Sequence, residues 1–467
     1  MAVVSVIARS QLEDTVRLDA EYYQPEYLNL EGKILKKAKS YVLWKHIHGQ
    51  FTTGPFGSEF IVENYVTDSP YRYVRGQDVK EVFLLDTDNV YIPEEDFERL
   101  SKYALMEGDI LVSVVGTLGN AVVIDKSVPP AVFSCKSTVF RTKAINPFYL
   151  IAYLNCRFGR VLLQRRVRGA VQTGLNINDL KSLPIFLPER LLQDEVAKVV
   201  LDARKSYDVS KSFYSQAENL LLEELGLRDF KPKYELSYTA SLSQAFRAHR
   251  VDAEHFQPAH DQVIDKVKSY RNGYTLLSGC FDTVKADFNP SSNPNNAFHY
   301  VELADIDSSI GVIHSASEIK GEDAPSRARR VLRKGDVIVS SVEGSLEKVA
   351  LVDSEHEGSL ASTGFFQFRA RTIYPEVLLT LSRSIVLQAQ LKRECAGTIL
   401  TAVPNGSLRR IVVPILHSEN QAEIALLVQQ SHEARRKAKA LLEKAKRAVE
   451  IAIEEGEEEA MEFLSDS

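Results

Sequence analysis

Residues 17–25 read RLDAEYYQP, and residues 250–258 read RVDAEHFQP. Six of the nine positions are identical across an offset of 233 residues. A duplication constrains a fold more than local propensity does: each copy must bury its own core, and the copies must then be held together. Other segments recur at similar offsets. GDILVSVVGTLGNAVVID (108–125) returns as GDVIVSSVEGSLEKVALVD (335–353) with one residue inserted. Both read as strand, glycine-containing turn, strand. GAVQTGLNINDL (169–180) aligns with GTILTAVPNGSL (397–408), and each leads into a proline-punctuated apolar stretch, PIFLP (184–188) and IVVPIL (411–416).

Each copy then runs into a helical pattern. Val196, Val200, Ala203, Tyr207, Ser210, Tyr214, Ala217 and Leu221 alternate in steps of four and three, as do Ile424, Val428, Ser431, Arg435, Ala438, Leu442, Ala445 and Val449. A sustained spacing of 3.5 residues marks the seam of a coiled coil. The first helix, from Leu191 to Gly226, would span roughly 54 Å at 1.5 Å per residue. Gly226 stops it and Pro232 breaks the chain in the linker LRDFKPKYEL (227–236). The second has a start signal in Ser418 as cap, with Gln421 three residues on. An antiparallel pair needs only a short connection, whereas a parallel pair would force the linker to retrace the rod. The expected fold is therefore α+β: two repeated strand-rich domains, each followed by a long helix, with the helices paired as an antiparallel coiled coil of pseudo-twofold symmetry. The expected boundaries are 1–188, 189–228 (helix), 229–416, 417–456 (helix) and an acidic tail at 457–467.

Charge refines this. The net charge of −6 is dominated by EEGEEEAMEFLSDS (454–467), with seven acids and no base, which reads as a solvated tail. The remainder is close to neutral but clustered: RFGRVLLQRRVRG (157–169) holds five arginines and RARRVLRK (327–334) four arginines and a lysine, with no acid in either. Local patches govern contact with a polyanion more than net charge does. The four cysteines match no disulfide framework or CxxC pair, no apolar run approaches about 20 residues, and the first residues lack a signal-peptide pattern. A cytoplasmic location is expected. A rigid spacer with a reader at each end suits a long ligand carrying two separated marks, as duplex DNA does.

These residues carry a resemblance. The chain resembles the specificity subunits of type I restriction–modification systems in TTGPFGSEF (52–60), in GDILVSVVGTLGNAVVI, in TGLNINDLKSLPIFLP (173–188) and in the duplicated layout. The resemblance implies two target-recognition domains that each read one half of a bipartite, asymmetric DNA site, with the helices setting the gap. It implies assembly with two adenine methyltransferase subunits and with restriction/translocase subunits. It also implies no catalysis and no cofactor in this chain; S-adenosylmethionine belongs to the partner methyltransferases. Copy two departs from the pattern: DTVKADFNPSSNPNN (282–296) lacks the glycine-phenylalanine-glycine core, and its hairpin carries Glu343 and Glu347.

Phosphate grip needs turn amides, hydroxyls and basic side chains, and base readout needs arginine, asparagine or glutamine. The candidates in copy one are Thr53, Gly54, Phe56, Gly57, Ser58, Thr117, Asn120, Arg165, Arg166, Arg168, Gln172, Asn176 and Asn178. In copy two they are Lys285, Asn289, Lys348, Arg393 and Asn405. Enzyme readings fare poorly: GxSxG, a Walker loop, HExxH and an NPPY-like tetrapeptide are all missing from the sequence. HIH (46–48) offers two histidines without a third metal ligand in view. The competing reading is a two-headed scaffold whose globular units bind protein and not DNA.

Overall fold

A computed structural model describes residues 4–9, 12, 17–36, 40–56, 59–60, 62–169, 173–397 and 401–466. It is a mixed helix-and-strand chain that divides into two compact units, Met1–Ser206 with Lys437–Ser467, and Tyr207–Arg436. The two long helices, Arg190–Glu224 and Ser418–Glu454, are each divided between the units and do not stand apart as separate segments.

In the first unit a four-stranded antiparallel sheet has the order Gly49–Thr53, Ser137–Thr142, Ile110–Ser113, Ala121–Val123. Ile110 to Ser113 are all buried because the sheet is covered on both faces. Side chains alternate across a strand, so Ile110 and Val112 join the main core while Leu111 joins a second one with Val74, Val122 and Phe133. The main core includes the helices Pro147–Asn155 and Arg157–Arg165, the buried Trp44 against Phe51 and Phe140, and residues of both long helices. A three-stranded sheet, Val90–Tyr91, Arg72–Val74, Ala131–Phe133, carries a parallel pair at its second and third strands.

The second unit repeats the order: Phe281–Thr283, Phe365–Ala370, Asp336–Ser340, Val349–Leu351. Val337 and Val339 again face one core and Ile338 the other. Its second sheet gains a strand, running Ser317–Lys320, Ala297–Val301, Leu360–Ser362, Ala328–Val331. The aspartates of the two GD segments are buried in matching roles. Asp109 accepts from Arg141, and Asp336 accepts from Arg369, through Nε and Nη2 in each case at 2.6–2.9 Å.

The seam residues are buried, apart from Tyr207, Arg435 and Leu442, which are half-buried. The first long helix stops as its glycine requires. Gly226 adopts φ +61°, its N–H bonds Glu223 O, and Leu227 N–H bonds Leu222 O, which together make a Schellman closure. The second starts differently from the expected serine cap. Gln421 N–H bonds His417 O and its side-chain amide donates to Leu416 O (3.0 Å), so His417 closes the turn and Ser418 is already helical. The acidic stretch is also not a free tail. Glu457–Ser465 is a helix that buries Ala460 and lays Met461, Phe463 and Leu464 against the first unit's core, leaving Glu458, Glu459 and Glu462 exposed. Among the described residues no helix is long and apolar enough to cross a membrane.

The second unit buries His255, His260 and His432. Burial holds each imidazole below its ordinary pKa of 6.5, although the Arg393 and Ile310 carbonyls and the Glu254 carboxylate pull the other way. Below pH 6.5 the unfolded chain therefore takes up protons that the folded unit refuses. The stability from these groups is present above that pH and is lost as pH falls, at up to about 1.4 kcal/mol per pH unit for each histidine. Hydrogen exchange of Val337–Val339 should accelerate between pH 7.5 and 5.5, after correction for intrinsic rates, more than that of Ile110–Val112. Equal profiles for the two strands would refute this.

Candidate nucleic-acid interface

In the first unit the chain leaves its edge strand at Thr53, whose hydroxyl lies 3.0 Å from that of Thr138. Gly54 comes next, and a Cβ there would stand 2.3 Å from Ser134 O, so the backbone crossing excludes a side chain. Phe56 beyond it is 69% exposed. Ser134 begins a short crossing that ends at Ser137, with Lys136 exposed between them. Val114 N–H donates to Lys136 O (2.8 Å), which ties this crossing to the hairpin.

The hairpin turn holds Gly116 and Gly119 at φ +86° and +78°, a region that glycine adopts without strain. Thr117 is exposed, and its Oγ1 donates to Gly76 O (3.3 Å), whose residue packs against Lys136. Val115 bridges Gly174, and Gly174 bridges Arg168. Lys136, Thr117, Arg168 and the start of the Ile177–Lys181 helix are thus linked by a chain of backbone contacts.

The arginine cluster divides. Arg165 and Arg166 are buried, and both guanidiniums pair with Glu31. Arg165 Nε also donates to Tyr22 O (2.7 Å) and Arg166 Nη2 to Ser182 O (3.0 Å). These two expected DNA contacts are interior structure: an aliphatic helix face carries them inward, and one carboxylate 134–135 residues away serves both as counter-ion. Burial raises the Glu31 pKa, but the two guanidiniums outweigh it and hold the carboxyl below its ordinary range. Arg168 remains 48% exposed, with Nε on Asp179 (2.6 Å). Asn176 is exposed, yet its Oδ1 caps the next helix by accepting from Asp179 N–H (3.0 Å). Asn178 is exposed. Asn120 is half-buried and donates to Val79 O (3.2 Å), a structural role. Gly57, Ser58 and Gln172 lie outside the described residues.

In the second unit Lys285 and Asn289 are exposed on a segment that runs beside the strand Ala328–Val331. Arg330 Nη1 donates to Val284 O (2.8 Å), and Arg329 Nε donates to Phe288 O (3.3 Å). This brings the exposed Arg329 alongside Lys285 and Asn289. Lys348 is half-buried in the hairpin and Asn405 is exposed at the start of a 3₁₀ turn. Arg393 does not join them: it is half-buried, bonds Asp261 (2.7 Å), and serves structure. Lys136 and Arg329 were not singled out from sequence. Arg329 had a signal in its arginine run; Lys136 had none, because only the crossing of Ser134–Ser137 beneath the hairpin exposes it there.

Among the described residues no three potential metal ligands come together. The surface offers hydroxyls, turn backbone and separated cations, which suit phosphate oxygens and base edges.

No protein-family model and no curated protein matches the chain. Solved structures do. One chain from a study of complex assembly and conformational transition of the type I R-M system is 31% identical, with a TM-score of 0.30. That match covers 38% of this chain and 46% of that one, so it spans about half the length of its relative. The S subunit of a type I restriction–modification system from M. genitalium is 12% identical with a TM-score of 0.39, over 89% of this chain and 95% of that one. The HsdS subunit from Thermoanaerobacter tengcongensis is 14% identical with a TM-score of 0.27, over 89% and 96%. At these TM-scores the superpositions are loose, and the chain's own residues have to carry its function.

Proposed function

We propose that the chain is the DNA-specificity subunit of a type I restriction–modification complex. Each unit reads one half of a bipartite, asymmetric site, the long helices set the gap, and the chain docks two adenine methyltransferase subunits and the restriction/translocase subunits without performing chemistry itself. The observation that carries this reading is the recurrence of one sheet order in two units whose exposed faces differ in residues: Lys136, Thr117 and Arg168 in one, Lys285, Asn289 and Arg329 in the other. Two similar frames with different surfaces read two different half-sites.

The ruler reading has support in the order of contacts along the helices. Val196 and Val200 share a hydrophobic cluster with Ala445 and Val449. Ser210 Oγ lies 3.4 Å from Ser431 Oγ, and Ala217 and Leu221 share a cluster with Ile424 and Val428. Contacts that advance along one helix and recede along the other support an antiparallel pair.

The test is the adenine methylome of the host with and without the gene for this chain. A bipartite motif that disappears on deletion supports the reading; an unchanged methylome refutes it. For the assembled complex, Lys136→Ala and Arg168→Ala should each weaken binding to all duplexes alike if they grip phosphate, and each should reduce the salt slope by about 1. Binding that ignores salt in the parent complex would favour the protein scaffold.

A further inference from the structure

The duplicated nonapeptide places an arginine in the same job twice. Arg17 is buried with Nε on Asp19 Oδ1 (2.9 Å), Nη1 on Arg166 O (3.2 Å) and Nη2 on Val167 O (3.0 Å). Arg250 has Nε on Asp252 Oδ2 (2.7 Å), Nη1 on Glu394 O (3.2 Å) and Nη2 on Cys395 O (2.6 Å). Each aspartate of the repeat therefore holds its arginine from one side, while the guanidinium closes on the carbonyls at the C-terminal end of a helix, just past Arg157–Arg165 or at the last residue of Ile385–Glu394 and the one beyond. A cation there also meets the negative end of the helix dipole.

The two copies also share the backbone path beyond the clamp. One residue on, Arg168 and Gly174 exchange both backbone hydrogen bonds at 2.9 Å, and Ala396 and Ala402 do the same at 2.9 and 3.0 Å. The next residue after each neck bonds the hairpin, Leu175 N–H to Val114 O (3.0 Å) and Val403 N–H to Ser341 O (2.8 Å). The clamp thus fixes the chain immediately before a neck, and the neck places Arg168 in one unit and Asn405 in the other.

We propose that Arg17 and Arg250 are positioning residues, one for each reading surface, acting through the necks Arg168–Gly174 and Ala396–Ala402. The inference rests on the proposed function of the chain in reading DNA. The chemistry demands arginine: Nη2 also reaches the second carboxylate oxygen of Asp19 (2.5 Å) and of Asp252 (2.8 Å), so at least four contacts run in two directions from one planar fork, which an ammonium does not reproduce. The partner beneath the fork differs between copies. Arg17 lies 4.3 Å over the Tyr22 ring, whereas at the equivalent position His255 Nδ1 lies 3.0 Å from Arg393 O. The arginine, the aspartate and their target carbonyls are common to both copies.

The test uses the full chain assembled with its methyltransferase partners, as R17K and R250K, with thermal unfolding as the control for folding. Should either variant unfold, Asp19→Asn and Asp252→Asn loosen the fork while leaving the carbonyl contacts. Two readouts are taken. Exchange of the Arg168 and Gly174 amides should rise at least tenfold in R17K while Ala396 and Ala402 keep parent rates, and R250K should do the reverse. The methylated motif should become degenerate in one half only, a different half for each variant. Unchanged neck exchange, or equal degeneracy in both halves, overturns the inference. Selective neck exchange in a parent complex that methylates no bipartite motif overturns the functional reading and leaves the clamp standing.

Discussion

Under the proposed function, inserting seven residues between Ser206 and Tyr207 and seven more between Arg436 and Lys437 should widen the gap in the methylated motif by about three base pairs and leave both half-sites unchanged. Seven helical residues add roughly 10.5 Å, and each base pair occupies about 3.4 Å of duplex axis. A whole heptad keeps the 3.5-residue seam in phase, so apolar positions still meet apolar positions. The insertion points come from the division of the chain. Seam residues through Ala203 and from Ala438 belong to the first unit, and Tyr207 through Arg435 belong to the second. Both insertions therefore fall between contacts and preserve the polar cluster in which Arg435 lies 4.1 Å over Tyr207 and bonds Asp307 (2.8 Å). Methylome sequencing of cells carrying the lengthened chain reads the gap directly. A motif with its original gap would end the ruler model. An insertion in one helix alone should give insoluble or inactive protein, because the seam then loses register.

Glu31→Gln should destabilise the first unit by about 3–5 kcal/mol, a large part of the stability of an ordinary domain. The carboxylate is the shared counter-ion of two buried guanidiniums, Arg165 and Arg166. An amide of the same shape leaves both cations in a low-dielectric interior with carbonyls, the Ser182 hydroxyl and the Tyr22 ring as partners but no counter-charge. The pH dependence has a definite sign. The Glu31 pKa is depressed on folding, so its contribution is complete above the ordinary value of 4.5 and is lost as pH falls through the folded value. The deficit of the variant should therefore narrow in acid. Arg168→Ala should cost less, about 1 kcal/mol, because its guanidinium is half-exposed and the buried Asp179 carboxylate keeps the Asn176 N–H (3.0 Å). Urea unfolding together with exchange of Ile110–Val112 measures both. A Glu31→Gln chain as stable as the parent would refute the role of Glu31 as the counter-ion of Arg165 and Arg166.

That contrast shows where sequence reading stops. QRRVR (164–168) presents three arginines of one kind, and nothing local distinguishes them. Two turn inward because Glu31 waits on a distant helix, while the third lies past the helix end and meets solvent. Asn176 looked like a base reader and caps a helix, because a side chain that can pair with adenine can equally accept a backbone N–H. The acidic end looked solvated because its charge hides the spacing of Ala460, Phe463 and Leu464, which matters only against a core made elsewhere in the chain.

Local and repeating features were legible without coordinates. The hairpin at 108–125 declares itself by apolar runs around glycines, the seam by its 3.5-residue period, and Gly226 by the turn that only a residue without Cβ makes cheaply. The nonapeptide match pointed to a duplication, since matching residues at similar offsets needs no geometry. The job of those nine residues belonged to tertiary structure. Hydrogen bonds from Arg17 to carbonyls 149 and 150 residues away are set by how a helix end packs against the start of its unit. Sequence alone carries the periods and propensities of neighbours along the chain; which charge meets which across a core depends on the packing that removes both from water.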